Sequence, residues 1–491
     1  MAGIKSLFKD TAIYGMSSII GRFLNWLLVP IYTRVFDAGE YGIVTYIYAI
    51  VALAIIILTY GMETGFFRFA NHERYKDASE VYSTSLISLA ATSTLFLTFV
   101  IIFLGPIADA LKCASHPSFV WLMAAAVAID AFTAIPFCAL RYRHHPMRFA
   151  TLKLINIGLN IGLNLFFILG CPWLMTVAPA TVAWFYDPAY GVGYIFLANF
   201  ISSAVTLLTL MPELIGFRYV FNADLWREMM RYSWPLLVLG IAGIMNQTLD
   251  KILLPELITD PVKAMDELGI YGANYKVAIV MVMFIQAFRF AYEPFIFAQN
   301  KAEGNSKLQA YRDAMKYFVI FAMVIFLAVM FYLPVVKLFI APQYYSGLRV
   351  VPIIMTAEFF FGVFFNLSLW YKLSDKTMWG MWFSLLGLAV TVILNVILVP
   401  RLGYMGCAWA ALCCYGVMMA TSYFVGKKKH PVGYETGRLI FYFLTALGIY
   451  GVASVITTGN EWVDMGVRTP LLLIYISFVV KREKIKLALR R

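Results

Sequence analysis

Apolar stretches long enough to cross a bilayer recur from one end of this chain to the other, separated by short charged loops. A helix rises 1.5 Å per residue, so about 20 apolar residues span a hydrocarbon core of about 30 Å. Such stretches lie near residues 11–33, 41–62, 82–105, 118–140, 149–171 and 190–212. A second set lies near 232–257, 269–297, 314–340, 348–371, 378–399 and 404–426, and two more near 437–457 and 467–480. In lipid every backbone polar group must be bonded within the segment, so these stretches predict helices. The expected fold is an all-α polytopic membrane protein with about 14 transmembrane helices. Composition agrees: 62% of the 491 residues are hydrophobic and only 13% are charged, too few to coat a water-soluble fold of this size.

Lysine and arginine divide unequally between alternate loops. One side carries Lys5, Lys9, Arg68, Arg74, Lys76, Arg141, Arg143, Arg148, Lys153, Arg218, Arg227 and Arg231. The same side holds Lys301, Lys307, Arg312, Lys316, Lys372, Lys376, the run Lys427 to Lys429, Arg438 and the C-terminal "KREKIKLALRR". The opposite loops hold scattered bases: Arg34, Lys112, Lys251, Lys263, Arg349, Arg401 and Arg468. The positive-inside rule then makes the chain a multi-pass membrane protein with both termini cytoplasmic, as an even span count also requires. The net charge of +12 is spread over many loops, so it reports topology and implies no nucleic-acid partner. The N-terminal "MAGIKSLFKDTAIYG" has no small-residue cleavage site and reads as an uncleaved start. Cys113, Cys138, Cys171, Cys407, Cys413 and Cys414 lack metal or CxxC spacing and are expected to pack as small apolar residues.

An internal repeat organises the spans. "EYGIVTYIYAIV" (Tyr41, Gly42) and "GIYGANYKVAIV" (Tyr271, Gly272) open equivalent helices, which reach Glu63 and Glu293 22 residues on. The same offset, about 230 residues, pairs Asn164 in "GLNLFFIL" with Asn395 in "ILNVILVP". These landmarks predict two six-helix lobes related by a pseudo-twofold repeat, residues 1–218 and 219–430. Residues 431–491 add two helices and a basic cytoplasmic tail. Repeated lobes around a midplane site suit alternating access. Residues 172–189 and 258–268 read as outer connections or lids, the second with Asp260 before Pro261 as a helix start.

A charge at the bilayer centre costs at least about 2.5–3.5 kcal/mol, so each intramembrane ionisable group calls for a partner or a watery cavity. Arg22 lies within span 1, with Asn25 and Trp26 one turn on; Asp130 lies mid-span 4 and Glu358 at similar depth in span 10. Lys276 sits near the outer end of span 8, while Arg289 and Glu293 stand four residues apart near its inner end. Asp250 and Lys251 adjoin in the outer part of span 7, as an interfacial pair with Lys251 snorkelling outward or as a functional one. Glu63 is expected at the inner mouth, 22 residues along a helix from Tyr41 and close to Arg68, either closing a gate or coupling to protons. Asn156, Asn160 and Asn164 form a stripe that either glues helices or wets a cavity wall, and Gly158 and Gly162 are expected to admit close helix packing.

HExxH, GxSxG, Walker A and nucleotide-binding GxGxxG motifs are absent, and no loop is long enough for an ATP-binding domain. The expected function is therefore transport without a catalytic centre or cofactor, drawing on H+, Na+, the membrane potential or the substrate's own gradient. "GRFLNWLLVPIYTRVFDAGEYGIVTY", "LDKILLP", "LGIYGANYKVAIVMVMFIQAFRFAYEPF" and "ILNVILVPRLGYMGCAWAAL" resemble the polysaccharide transporter (Wzx-type flippase) family of the multidrug/oligosaccharidyl-lipid/polysaccharide exporter superfamily. The resemblance implies two lobes enclosing a V-shaped cavity and movement of undecaprenyl-pyrophosphate-linked oligosaccharide between leaflets. It matches Arg22 and Arg34 to basic positions of the family's first span, and Asp250–Lys251 to its acidic–basic pair in span 7. It also implies membrane lipids, glycosyltransferases and a polysaccharide polymerase as partners. Substrate-binding candidates are Arg22, Asn25, Arg34, Asn160, Lys276 and Arg289; coupling or gating candidates are Glu63, Arg68, Asp130, Asp250, Lys251, Glu293 and Glu358. A lipid II flippase shares the carrier and remains an alternative. A multidrug cation antiporter would want an acidic cavity, against which Arg22, Lys276 and Arg289 argue. A membrane glycosyltransferase or polymerase would want a large outer loop.

Overall fold

The computed structural model describes residues 20–483 except 22, 73–77, 217, 300–304, 374–375, 377 and 457; side chains at 291, 293–299, 305–307 and 372–373 are also outside the description. Every regular element among the described residues is helical. Twelve helices among the described residues are long and apolar enough to cross a membrane, and Gly193–Thr209 is a shorter apolar helix of 17 residues. Span 1 falls partly outside the description. The chain packs as two compact units, Met1–Gly269 and Ile270–Arg491.

The first unit contains α1 (Val29–Val35), α2 (Ala38–Thr59), α3 (Met62–Ala70), α4 (Ala78–Ile102), α5 (Leu104–Ala110), α6 (Pro117–Tyr142) and α7 (Pro146–Leu165). It continues with α8 (Cys171–Val177), α9 (Pro179–Val182), α10 (Gly193–Thr209), α11 (Met211–Leu214), α12 (Ala223–Leu257) and the start of α13 (Pro261–Gln299). A capping box starts α2: the Asp37 carboxylate accepts from Glu40 N at 2.8 Å while Glu40 accepts from Asp37 N at 3.2 Å. Tyr60 and Gly61 then take positive φ of 33° and 73°, which no helix tolerates, and the chain restarts as α3. Glu63 therefore sits in the first turn of a new helix and not at the end of one continuous rod.

Two connections differ from expectation. Pro172 has no N–H to give to the carbonyl four residues back, and the helix answers with a π turn over Phe166–Gly170 that carries α7 on into α8. Residues 261–268 are the opening turns of α13, capped by Asp260, whose Oδ1 accepts from Val262 N at 3.0 Å. Those turns pack against α2 with almost no side chain between them. A Cβ on Gly42 would stand 2.1 Å from the Met265 carbonyl oxygen, and one on Gly269 would stand 1.8 Å from that of Ala38. Gly158 and Gly162, by contrast, face open space and bring no helix close.

The second unit holds the rest of α13, then α14 (Asn305–Phe331), α15 (Leu333–Val336), α16 (Val351–Leu367), α17 (Leu369–Leu373), α18 (Met378–Leu402) and α19 (Tyr404–Lys429). The last two helices, α20 (Thr436–Val455) and α21 (Glu461–Glu483), dock on α14. Buried Glu483 clasps them there, bonded by Lys316 at 3.2 Å, by Arg438 at 2.7 Å and by Tyr442. Matching repeat positions have matching environments: Asn164 and Asn395 are both fully buried, and each donates Nδ2 to the carbonyl four residues back at 2.8 Å. The sequence repeat assigns α12 to the second lobe, whereas in the structure α12 packs on α2, α3 and α4.

The glycine contact gives a direct test. Gly42→Ala should lower stability by about 1–3 kcal/mol, the usual cost of overpacking. Gly162→Ala should leave the melting temperature of the purified protein level or raise it, since helical alanine is favoured over glycine by about 0.5–1 kcal/mol.

Candidate functional site

A polar seam runs through the interior of the first unit, and α7 supplies its spine. Lys153, Asn156, Asn160 and Asn164 follow one another at three- and four-residue spacing, which stacks them on one helix face. Each asparagine spacing that suggested a stripe is thus extended by a lysine one turn earlier. Asn156 donates to Thr206 Oγ1 at 2.7 Å and to the Ser202 carbonyl at 3.1 Å, both on α10. Asn164 accepts from the Tyr32 hydroxyl of α1 at 2.9 Å and donates to Asn160. Asn156 and Asn164 therefore tie helices together, while Asn160 stays half-buried. Farther along α10, Asn199 donates to the Tyr48 hydroxyl of α2 at 2.6 Å.

Asp130 meets this seam from α6. It stands midway along the helix whose apolar window is 78% buried, yet its own side chain is exposed. A carboxylate turned to lipid is costly, so Asp130 calls for a partner or a watery recess. Its carboxylate reaches Ser203 of α10 and lies in the field of Lys153. Lys153 is half-buried, its Nζ 3.9 Å from the centroid of the Phe137 ring, and it is also near Glu63 and Arg141.

Toward the end of α6, Glu63 pairs with Arg141 at 3.3 Å, and the Arg141 guanidinium also donates to Cys138 Sγ at 3.1 Å. This corrects the expected partner, Arg68. The break at Tyr60–Gly61 re-aims Glu63 toward α6, and Arg68, five residues on and so on another face of α3, lies over the Tyr232 ring at 4.1 Å. The loop bases beyond α6 are committed too. Arg143 and Arg148 reach buried Glu213 at 3.3 and 2.9 Å.

The other candidates make separate contacts. Asp250 and Lys251 pair at 3.1 Å with side chains only 8% and 12% exposed; Lys251 folds back onto the Gln247 carbonyl at 2.9 Å and does not snorkel outward. Arg34 is exposed and donates to the Pro30 carbonyl at 2.7 Å, and Asn25 is exposed. In the second unit Glu358 is buried and accepts from the Tyr275 hydroxyl at 2.5 Å, beside half-buried Lys276. Arg289 lies 4.2 Å from the centroid of the Phe365 ring. Arg22 and the side chain of Glu293 lie outside the described residues. Lys153, Arg141, Ser203 and Tyr275 were missed as site residues. Lys153 was legible as the next member of the asparagine stripe, whereas the others needed the fold.

This seam offers half-buried Asn160 as a polar contact, and cations whose neighbouring carboxylates a stronger anion can replace. Among the described residues no cluster of His, Cys, Asp and Glu could hold a metal ion. The sequence matches a family model described as polysaccharide biosynthesis protein over residues 7–298, more than half of the chain. No functionally curated protein matches it. Among solved structures the fold is similar to that of the lipid II flippase MurJ in an inward closed conformation. That likeness has a TM-score of 0.73 at 13% identity, covering 96% of this chain and 99% of that one. An inward-facing multidrug resistance MATE family transporter of the MOP superfamily matches with a TM-score of 0.66 at 15% identity, over 85% and 94% of the two chains. At such identities what is shared is the fold.

The Glu63–Arg141 assignment can be tested by a double-mutant cycle. With both groups partly exposed, Glu63→Gln and Arg141→Gln should show a coupling of about 0.2–1 kcal/mol in unfolding. The corresponding cycle between Glu63 and Arg68 should show none.

Proposed function

The chain belongs to the polysaccharide biosynthesis protein family, and from that premise we propose that it is a flippase for polyprenyl-pyrophosphate-linked oligosaccharide in the bacterial cytoplasmic membrane. The observation that carries this reading is Lys153, a half-buried cation inside a membrane bundle and in the field of the Asp130 carboxylate. A pyrophosphate head cannot enter hydrocarbon without a counter-charge. Lys153 and Arg141 supply one by exchanging their carboxylate partners for phosphate, and protonating Asp130 or Glu63 favours that exchange by removing the competitor. This gives a route to H+ coupling. Asn160 on the seam bonds the sugar, and the polyprenyl tail stays in lipid.

Arg22, Asn25, Arg34, Asn160, Lys276 and Arg289 remain substrate-binding proposals within two six-helix lobes that alternate access. Arg68, Asp250, Lys251, Glu293 and Glu358 remain gating proposals. The basic-loop count supports cytoplasmic termini, on the side where glycosyltransferases would make the substrate, with a polysaccharide polymerase consuming it outside. Lipid II presents the same carrier chemistry, and the likeness in fold to a lipid II flippase favours it as the second reading.

The test is genetic. Lys153→Ala should cut surface-polysaccharide export at least about tenfold at unchanged protein level, the cost of one charge-assisted bond of about 1.5–3 kcal/mol. Lys153→Arg should retain most export. Normal export by Lys153→Ala would remove the binding role. Loss of the protein with lysis and arrested wall synthesis would replace the oligosaccharide reading with lipid II.

A further inference from the structure

A second polar site lies in the second unit, where the ends of α14 and α20 meet the start of α21. It is a cavity of about 320 Å³, within the range of small-ligand pockets, with four charged side chains in its wall: Lys337, Glu461, Asp464 and Arg468. Lys337 Nζ bonds the Glu461 carboxylate, at 2.6 Å to Oε2. Arg468 donates to the Ala453 and Ile456 carbonyls, each at 3.2 Å, and its guanidinium is 3.9 Å from Asp464. Asp464 Oδ1 is taken up by Thr458, through its N–H at 2.6 Å and its hydroxyl at 2.7 Å. The charges are thus held in fixed places, and they sum to zero.

That balance selects the ligand. A simple anion would meet two carboxylates in the same small space, and a simple cation would meet two bases. A molecule with a phosphate and an ammonium a few ångströms apart can satisfy both pairs at once. The surroundings are those of a membrane surface. Beside the charges, Met330, Phe331 and Tyr450 give the cavity an apolar wall, and Val455 and Trp462, next in the chain to the lining residues Ser454 and Glu461, are 82% and 61% exposed. Tryptophan beside charge at a helix end is the pattern of the lipid–water interface. The opposite ends of these helices carry Lys316, Arg438, Lys481 and Arg482, so the cavity lies at the end away from the basic side.

We propose that this cavity binds the headgroup of an aminophospholipid of the outer leaflet, with phosphate on Lys337 and Arg468 and the primary ammonium on Glu461 and Asp464. The lipid would enter from the side and lay its chains along α20 and α21, the two helices outside the repeat. The inference goes beyond the flippase reading, and depends on it only for which leaflet is outer. A primary ammonium donates three hydrogen bonds to carboxylates, whereas the trimethylated ammonium of choline donates none, so the site should discriminate between them.

The experiment is native mass spectrometry of the purified full chain with phosphatidylethanolamine, phosphatidylcholine and phosphatidylglycerol of matched acyl chains. Phosphatidylethanolamine should be retained about tenfold better than either, the equivalent of about 1.4 kcal/mol. Glu461→Gln changes an exposed rim residue, so the fold should survive; it should bring phosphatidylethanolamine down to the level of phosphatidylcholine. Lys337→Gln should weaken both. Equal retention of the three lipids, or a preference unchanged in both variants, would leave the charges as a structural staple only. Soluble phosphoethanolamine binding as tightly as the lipid would overturn the lipid assignment in favour of a free phospho-amine.

Discussion

An ionised side chain cannot stand alone in hydrocarbon, and the internal organisation of this protein follows from where it meets that condition. Asp130 faces Lys153, Glu63 holds Arg141, Asp250 closes on Lys251, and Glu358 takes the Tyr275 hydroxyl. Each contact joins or stiffens helices whose apolar surfaces, as oily as the lipid around them, give little reason to associate. Small residues and polar seams do that work in membranes, and here both are present: the Gly42–Gly269 crossing and the stripe along α7.

The pairs differ in how readily they can be exchanged. Asp250–Lys251 is nearly sealed, and removing one partner would strand a charge at a cost of several kcal/mol. Glu63 and Arg141 are 44% and 35% exposed, so parting them costs little. Asp130 is exposed and Lys153 half-buried. A transporter that trades an internal carboxylate for a substrate phosphate must use pairs of the second kind. The sealed pair suits holding shape, and the open pairs suit partner exchange.

Much of the fold was legible because lipid allows so few solutions. Span positions followed from the length of apolar runs, the Asp260–Pro261 helix start from local chemistry, and the pairing of Asn164 with Asn395 from the repeat. The site was less legible. Arg141 and Lys153 read as loop cations by the positive-inside count, because charge near a helix end looks the same whether it turns outward to water or inward to a carboxylate. Glu63 was assigned the wrong partner because two adjacent residues, Tyr60 and Gly61, adopt positive φ, and only glycine advertises that in sequence. The α7 glycines were credited with close packing because a stripe does not say which face is buried. Spacing reveals that residues share a face; the fold decides what that face meets.

The most direct measurement is translocation by the purified protein in sealed vesicles, using a fluorescent polyprenyl-pyrophosphate oligosaccharide and a lipophilic organic cation side by side. Exchangeable cations inside the bundle predict protein-dependent movement of the pyrophosphate lipid between leaflets, inhibition by the unlabelled lipid, and no proton-driven uptake of the cation. Uptake of the cation against a proton gradient, with the pyrophosphate lipid left in its original leaflet, would contradict the account.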